Sequence, residues 1–154
     1  MNILLIGGCG SGKTWVAQQL LTKQHRMYQY GLMRFRADDR LAVAGVYDGG
    51  MFQGSDRLSM AVSRDFQRFH ELCQSHHWDL FMEGDRFTNK ACIRHLDPYV
   101  IRILDDGSVG RTMRGSHQSP QHIQRISTRV RNFDVDLDVK DSNEALLAVQ
   151  SILK

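Results

Sequence analysis

The residues Asn2-Ile3-Leu4-Leu5-Ile6-Gly7-Gly8-Cys9-Gly10-Ser11-Gly12-Lys13-Thr14-Trp15 run from a short apolar segment through a glycine-rich turn into an amphipathic one. Asn2–Ile6 is apolar without alternation, as a central strand buried on both faces must be. Beyond the turn, Val16, Ala17, Leu20 and Leu21 recur at helical spacing. Between them, Gly7–Thr14 satisfies G-x-x-x-x-G-K-[ST] at every fixed position. In such a turn several backbone N–H groups approach phosphate oxygens closely, and a Cβ at the tight positions would block them. The helix contributes unsatisfied N–H groups and the positive end of its dipole. Lys13 is spaced to reach β- and γ-phosphates, and the Thr14 hydroxyl suits Mg²⁺. The expected ATP-binding set is therefore Gly7, Gly8, Cys9, Gly10, Ser11, Gly12, Lys13, Thr14 and Trp15. With glycine at about 7% of ordinary sequence, a chance match in a chain this long has odds of about one in a hundred or less.

At 154 residues the chain fits one domain, 1–154, and a chain of this size buries roughly two-thirds of its unfolded surface. No segment approaches the ~18 apolar residues of a membrane span. The opening apolar run lacks a basic leader and stops at Gly7-Gly8, so it reads as a strand and not as a signal peptide. Cys9, Cys73 and Cys92 cannot all pair and show no CxxC spacing; reduced thiols in a cytoplasmic protein are expected. A net charge of +3 does not by itself announce a nucleic-acid partner. Its distribution is more informative. From Gly107 to Phe133 there is no Asp or Glu, while Arg111, Arg114, Arg125, Arg129 and Arg131 all occur, a basic segment suited to polyanions.

Strand, loop and helix signals alternate along the chain, which predicts an α/β fold in three layers with a mainly parallel central sheet. Tyr30–Tyr47 is β-rich on both sides of Asp38-Asp39 and reads as a β-hairpin insertion; a glycine-rich loop spans Asp48–Asp56. Val62, Phe66, Phe69 and Cys73 mark a helix face, and Asp79–Met82 a short strand. A helix near Asn89–His95 should stop before Pro98, and Tyr99–Leu104 reads as another strand. A helix is expected from Pro120 to about Arg131. Strict alternation of apolar and acidic residues over Phe133–Val139 places that strand near a sheet edge. Asp141 and Glu144 stand at capping-box spacing before a final helix carrying Leu146, Val149, Ile152 and Leu153.

Two acidic positions follow apolar strands and so belong at the carboxyl edge of a parallel sheet, where such folds bind ligands. Glu83 in Glu83-Gly84-Asp85-Arg86 is a candidate for holding Mg²⁺ with Thr14, and Asp85 for metal or acceptor positioning; an ion pair of Asp85 with Arg86 or a nearby helix is the plainer alternative. Asp48, opening the glycine loop, is the favoured general base, with the reverse assignment of the two sites also open. Lys13, Asp48, Glu83, Asp85, Arg111 and Arg114 form the expected catalytic group. Arg111 and Arg114 fall where a lid at about 107–131 would close on a transferring phosphoryl group, and arginine fits phosphate bidentately. His76-His77 and His70-Glu71 lack a further ligand at zinc-binding spacing.

Three segments resemble a known group: Ile6–Thr14, then Tyr47-Asp48-Gly49-Gly50 with Gly54-Ser55-Asp56-Arg57-Leu58-Ser59-Met60, and Glu83-Gly84-Asp85-Arg86-Phe87-Thr88-Asn89. They look like those of bacteriophage P-loop kinases that phosphorylate 5-hydroxymethyluracil within DNA. The resemblance covers the first two-thirds of the chain, and its specificity rests on the second and third segments. It implies a P-loop NTPase fold with an Arg-rich lid, ATP and Mg²⁺, and a DNA partner carrying the hydroxymethylated base. The base would be flipped or unstacked to reach the turn, with Tyr47, Phe52 or Phe87 stacking on it, Arg57 or Arg86 on the backbone, and Asp56 on the acceptor. A deoxynucleoside monophosphate kinase acting on free nucleotides, and a nucleotide-binding module without catalysis, are the alternatives.

Overall fold

The computed structural model describes residues 1–50, 53–115 and 118–153, and of Arg114 the backbone alone. Strand β1 (Asn2–Ile6) lies inside the sheet, third from one edge, between two parallel partners. Its residues divide by alternation. Leu4 and Ile6 enter one apolar cluster, Ile3 and Leu5 the other, and each of the four side chains is at most 1% exposed. A strand covered on both faces has no solvated side, which is why its sequence shows no polar alternation.

Around β1 the sheet has the order β2-β3-β4-β5-β1-β6-β7. β4 (Leu41–Ala44), β5 (Asp79–Glu83), β6 (Tyr99–Ile103) and β7 (Leu137–Val139) run parallel with β1. β2 (Arg26–Tyr30) and β3 (Met33–Ala37) add an antiparallel hairpin beyond β4. Among the described residues there are six α-helices. α2 (Phe66–Ser75), α3 (Lys90–Leu96) and α5 (Pro120–Asn132) cover the Leu4 face. α1 (Lys13–Leu20) and α6 (Ser142–Ile152) cover the Ile3 face. α4 (Ser108–Arg114) follows β6. The chain is therefore α/β, with helices on both faces of a mostly parallel sheet. No described helix is long and apolar enough to cross a membrane.

The antiparallel turn expected about Asp38-Asp39 joins β3 to β4, and Asp38 explains it: its Oδ1 accepts from the amides of Arg40 and Leu41, both at 2.8 Å. The hairpin has one strand more than expected. All five residues of β2 are exposed, so no burial period marks it, and it turns into β3 through Gly31-Leu32. The strand expected over Phe133–Val139 is shortened to β7. Asp136 pairs instead with Val100, its carboxylate taking the Val100 amide at 2.8 Å and its own amide reaching Val100 O at 2.9 Å. β7 is still the sheet edge. Val62 stands in a 3₁₀ turn (Val62–Asp65) just ahead of α2. α3 is capped by Asn89, whose side chain accepts from the Cys92 amide, and ends at Asp97, one residue before Pro98.

Because β1 has β5 on one side and β6 on the other, the chain's connections diverge at its carboxyl end. Ligands of open α/β sheets bind at such a divergence, and the glycine turn stands there. The face behind it is held by aromatic packing: Phe69 is fully buried and meets Phe35 at 4.9 Å between ring centroids, tying α2 to the hairpin. Phe69→Ala should cost about 3–5 kcal/mol in urea unfolding; a loss below about 1 kcal/mol would mean the hairpin is not fastened through this ring.

Candidate functional site

Between β1 and α1 the chain turns through Gly7–Gly12, and α1 starts with Gly12 in the left-handed region and no side-chain cap. Among the described residues the amides of Gly10, Gly12, Lys13, Thr14 and Trp15 donate to no protein acceptor. Unpaired N–H groups at a helix start are ordinary, but this many converging in one turn form a receptor for anionic oxygen. The Ser11 hydroxyl is buried without a partner among the described residues, a further unused donor. Lys13 folds back over the turn, its Nζ donating to Gly7 O and Gly8 O at 2.9 Å each. A lysine satisfied by two neutral carbonyls exchanges them readily for phosphate, since a hydrogen bond between ions is the stronger.

Glu83 closes β5 beside this turn and is only 3% exposed. Its Oε1 accepts from Tyr47 Oη at 3.1 Å, the Ser55 amide at 3.4 Å and Thr14 Oγ1 at 3.5 Å. Among the described residues Oε2 takes no donor. Burial pushes the Glu83 carboxyl above its ordinary value, and the Lys13 ammonium pulls it back in part. Gly54 is what lets the backbone lie against this carboxylate. A Cβ there would come within 2.1 Å of Glu83 Oε1 and 3.4 Å of Thr14 Oγ1. The two oxygens, Thr14 Oγ1 and Glu83, are a hard-donor set that fits Mg²⁺. Among the described residues no group of three or more His, Cys, Asp or Glu could hold a metal alone, so a cation there would need oxygen ligands from outside the protein.

The other side of the turn is a backbone seam. Gly107 lies against Cys9, where a Cβ would stand 2.0 Å from Cys9 O, and Arg111 donates through NH1 to Cys9 O at 2.7 Å and to Asp106 O at 2.9 Å. Arg111, expected to close over a phosphoryl group, is thus held by the turn's own carbonyl. The Arg114 side chain and Phe52 lie outside the described residues. Ser127 of α5 and Ser142 at the start of α6 also border the turn, beside Gly8 and Gly12; small polar residues in helices gave no sign of this in the sequence.

The remaining expected site residues are distributed differently from the sequence reading. Asp85 does not face the turn's Thr14 hydroxyl as a partner; it forms an ion pair with Arg129 of α5 and accepts from Thr88 Oγ1 at 3.2 Å. With Arg86 also 4.0 Å away, this is the plainer alternative, ion pairing with Arg86 and a nearby helix, and it ties α5 to the end of β5. Asp48 is gripped by Arg57, whose NH1 lies 2.6 Å from each carboxylate oxygen, and by the Gly50 amide at 3.0 Å. The Gly50 amide, then Arg57, keep Asp48 below its ordinary carboxylate value. Arg86 donates Nε to Leu58 O at 3.2 Å. Phe87 is fully buried and stacked on Phe66 at 5.4 Å, so it has no open face for a base. Tyr47, 6% exposed, serves as a hydrogen-bond donor to Glu83 and not as a platform. Asp56 is exposed, stands in the turn Ser55–Arg57, and makes no hydrogen bond or ion pair among the described residues. Trp15 is 37% exposed at the start of α1.

No family model, curated protein or solved structure matches the chain. The functional reading therefore rests on the residues themselves.

The Glu83 result carries a stability consequence. A carboxyl whose folded value is raised keeps its proton in the folded state after the unfolded chain has lost it. Its contribution to stability therefore falls as pH rises through and above the ordinary value of 4.5. In urea unfolding of the ligand-free protein, Glu83→Gln should gain stability over wild type between pH 4 and pH 7. A difference that narrows over that interval would contradict the burial argument.

Proposed function

We propose that this chain is a P-loop kinase that passes the γ-phosphoryl group of ATP to an alcohol oxygen. The acceptor we favour is the hydroxymethyl group of 5-hydroxymethyluracil in DNA, a step in thymidine hypermodification of a phage genome. One observation carries the kinase reading: among the described residues, unpaired amides, a lysine held by carbonyls, and a Thr14–Glu83 oxygen pair lie together at the carboxyl end of β1. Phosphoryl transfer requires positioning and charge neutralisation above all, and these are the groups that provide both.

In this reading Gly7–Thr14 is the P-loop, the α/β layers are those of a P-loop NTPase, and residues 107–131 form the lid. Lys13 leaves the Gly7 and Gly8 carbonyls for the β- and γ-phosphates. The amides of Gly10, Gly12, Lys13, Thr14 and Trp15 take the remaining phosphate oxygens. Thr14 Oγ1 and Glu83 would hold Mg²⁺, which neutralises charge on the phosphates; Tyr47 and the Ser55 amide orient Glu83 for this. The seam of Gly107 and Arg111 on Cys9 fixes the turn's shape.

For the acceptor, support comes from where the two more specific resembling segments lie. Gly54–Met60 and Glu83–Asn89 meet at Glu83: the turn Ser55–Arg57 packs on the turn Asp85–Phe87, and a Cβ on Gly84 would stand 2.4 Å from Ser55 Oγ. Residues distant in sequence thus converge beside the phosphate turn, on the side toward β4, with Asp85 also reaching Arg129 of α5.

Incubation with γ-labelled ATP and Mg²⁺ should place label on duplex DNA containing 5-hydroxymethyluracil and none on unmodified DNA. Label on free deoxynucleoside monophosphates alone would replace the DNA reading by that of a nucleotide kinase, and ATP binding without transfer to any alcohol would remove the kinase reading. Lys13→Ala should lower turnover at least about a hundred- to thousandfold with thermal unfolding unchanged; near-normal turnover in that variant would refute the site.

A further inference from the structure

Three of the carboxylates at or beyond the carboxyl ends of β4 and β5 already have partners. Glu83 is buried and receives three donors; Asp85 is paired with Arg129; Asp48 is clamped by Arg57 and the Gly50 amide. Asp56 has none among the described residues, and its position is not accidental. The residue before it, Ser55, is 2% exposed and donates its amide to Glu83. The one before that, Gly54, lies against both Glu83 and Thr14. Two residues of chain span at most about 7 Å, so Asp56 is the first solvent-facing side chain past the Thr14–Glu83 pair. It lies near enough for its charge to act on both Glu83 and Tyr47.

We infer that Asp56, and not Asp48, takes the proton from the acceptor alcohol; this rests on the kinase reading above. A carboxylate committed to a guanidinium and an amide has its lone pairs occupied and its basicity lowered, whereas an unpartnered one keeps both oxygens for the acceptor. In the step, the alcohol oxygen bonds to the γ-phosphorus as the bond from that phosphorus to the β,γ-bridging oxygen breaks. ADP leaves with that electron pair, and the alcohol proton passes to an Asp56 carboxylate oxygen and then to water. The charged and titratable groups around Asp56 agree with this. Glu83 of β5 and Tyr47 beyond the end of β4 lie near enough to feel its charge, and Lys13 of α1 is held by the Gly7 and Gly8 carbonyls. Arg57 beside it is turned to Asp48, and in the packed turn Asp85 and Arg86 are held by Arg129 and Leu58 O. The Asp48–Arg57 pair then has a separate task, bracing the loop that carries Asp56.

Single-turnover transfer from labelled ATP to the acceptor used by wild type, run beside ATP-binding titrations, tests this. Asp56→Asn should slow transfer about 10²–10⁴-fold while the ATP dissociation constant stays within about twofold, and Asp56→Glu should recover at least about tenfold of the loss. Asp48→Asn should slow transfer by less than about tenfold. Transfer at near wild-type rate in Asp56→Asn, a larger loss in Asp48→Asn, or parallel loss of ATP binding in Asp56→Asn would each overturn the assignment while leaving the kinase reading in place. Absence of transfer by wild type to any alcohol would overturn both.

Discussion

A protein that gathers unpaired amides and an ammonium group at one point must hold that positive potential in place without an anion bound. Here Lys13 is satisfied by the carbonyls of Gly7 and Gly8, and the nearby Glu83 supplies the opposing charge from the neighbouring strand. Glu83 is costly to bury, and its three donors, from Tyr47, Ser55 and Thr14, make the burial tolerable. Those three donors come from the first turn of α1 and from two points of the connection after β4. Holding one carboxylate therefore aligns the glycine turn, the end of β4 and the turn at Ser55.

The rest of the carboxyl edge is built to keep that alignment. On the side of α4, Gly107 and Arg111 press the helix onto Cys9. α5 is tied twice: Arg129 to Asp85 at the end of β5, and Arg102 of β6, which donates to the Val130 and Arg131 carbonyls while forming a two-point pair with Asp138 of β7. Arginine at a helix C-terminus meets carbonyls that have no intrahelical partner. The basic character of residues 107–131 is thus partly structural, while among the described residues the side chains of Arg125 and Arg131 meet His122 and Thr128 of their own helix.

Legibility in the sequence follows physical type. β1 and its turn are readable because burial on both faces and close backbone approach each restrict residue choice severely. The capping of α6 is readable because it is local: the Asp141 side chain accepts from the Glu144 amide at 3.0 Å, and Glu144 reaches back to the Lys140 amide at 2.7 Å. β2 is not readable because nothing it carries is buried. The roles of Asp48, Asp56 and Asp85 are not readable either. Exposed carboxylates look alike in sequence, and what separates them is the arginine each meets, Arg57 in one case and Arg129, 44 residues away, in another. Tyr47 and Phe87 look like stacking surfaces as residue types; packing against Glu83 and Phe66 makes them interior.

The account stands on the turn after β1 receiving a triphosphate, and a crystal structure with Mg²⁺ and a non-hydrolysable ATP analogue addresses that directly. It should show Lys13 Nζ withdrawn from Gly7 O and Gly8 O onto the β- and γ-phosphates, with amides of Gly10, Gly12, Lys13, Thr14 and Trp15 on phosphate oxygens and the cation beside Thr14 and Glu83. A saturated crystal in which Lys13 keeps both carbonyls, with the analogue bound elsewhere or not at all, would contradict it.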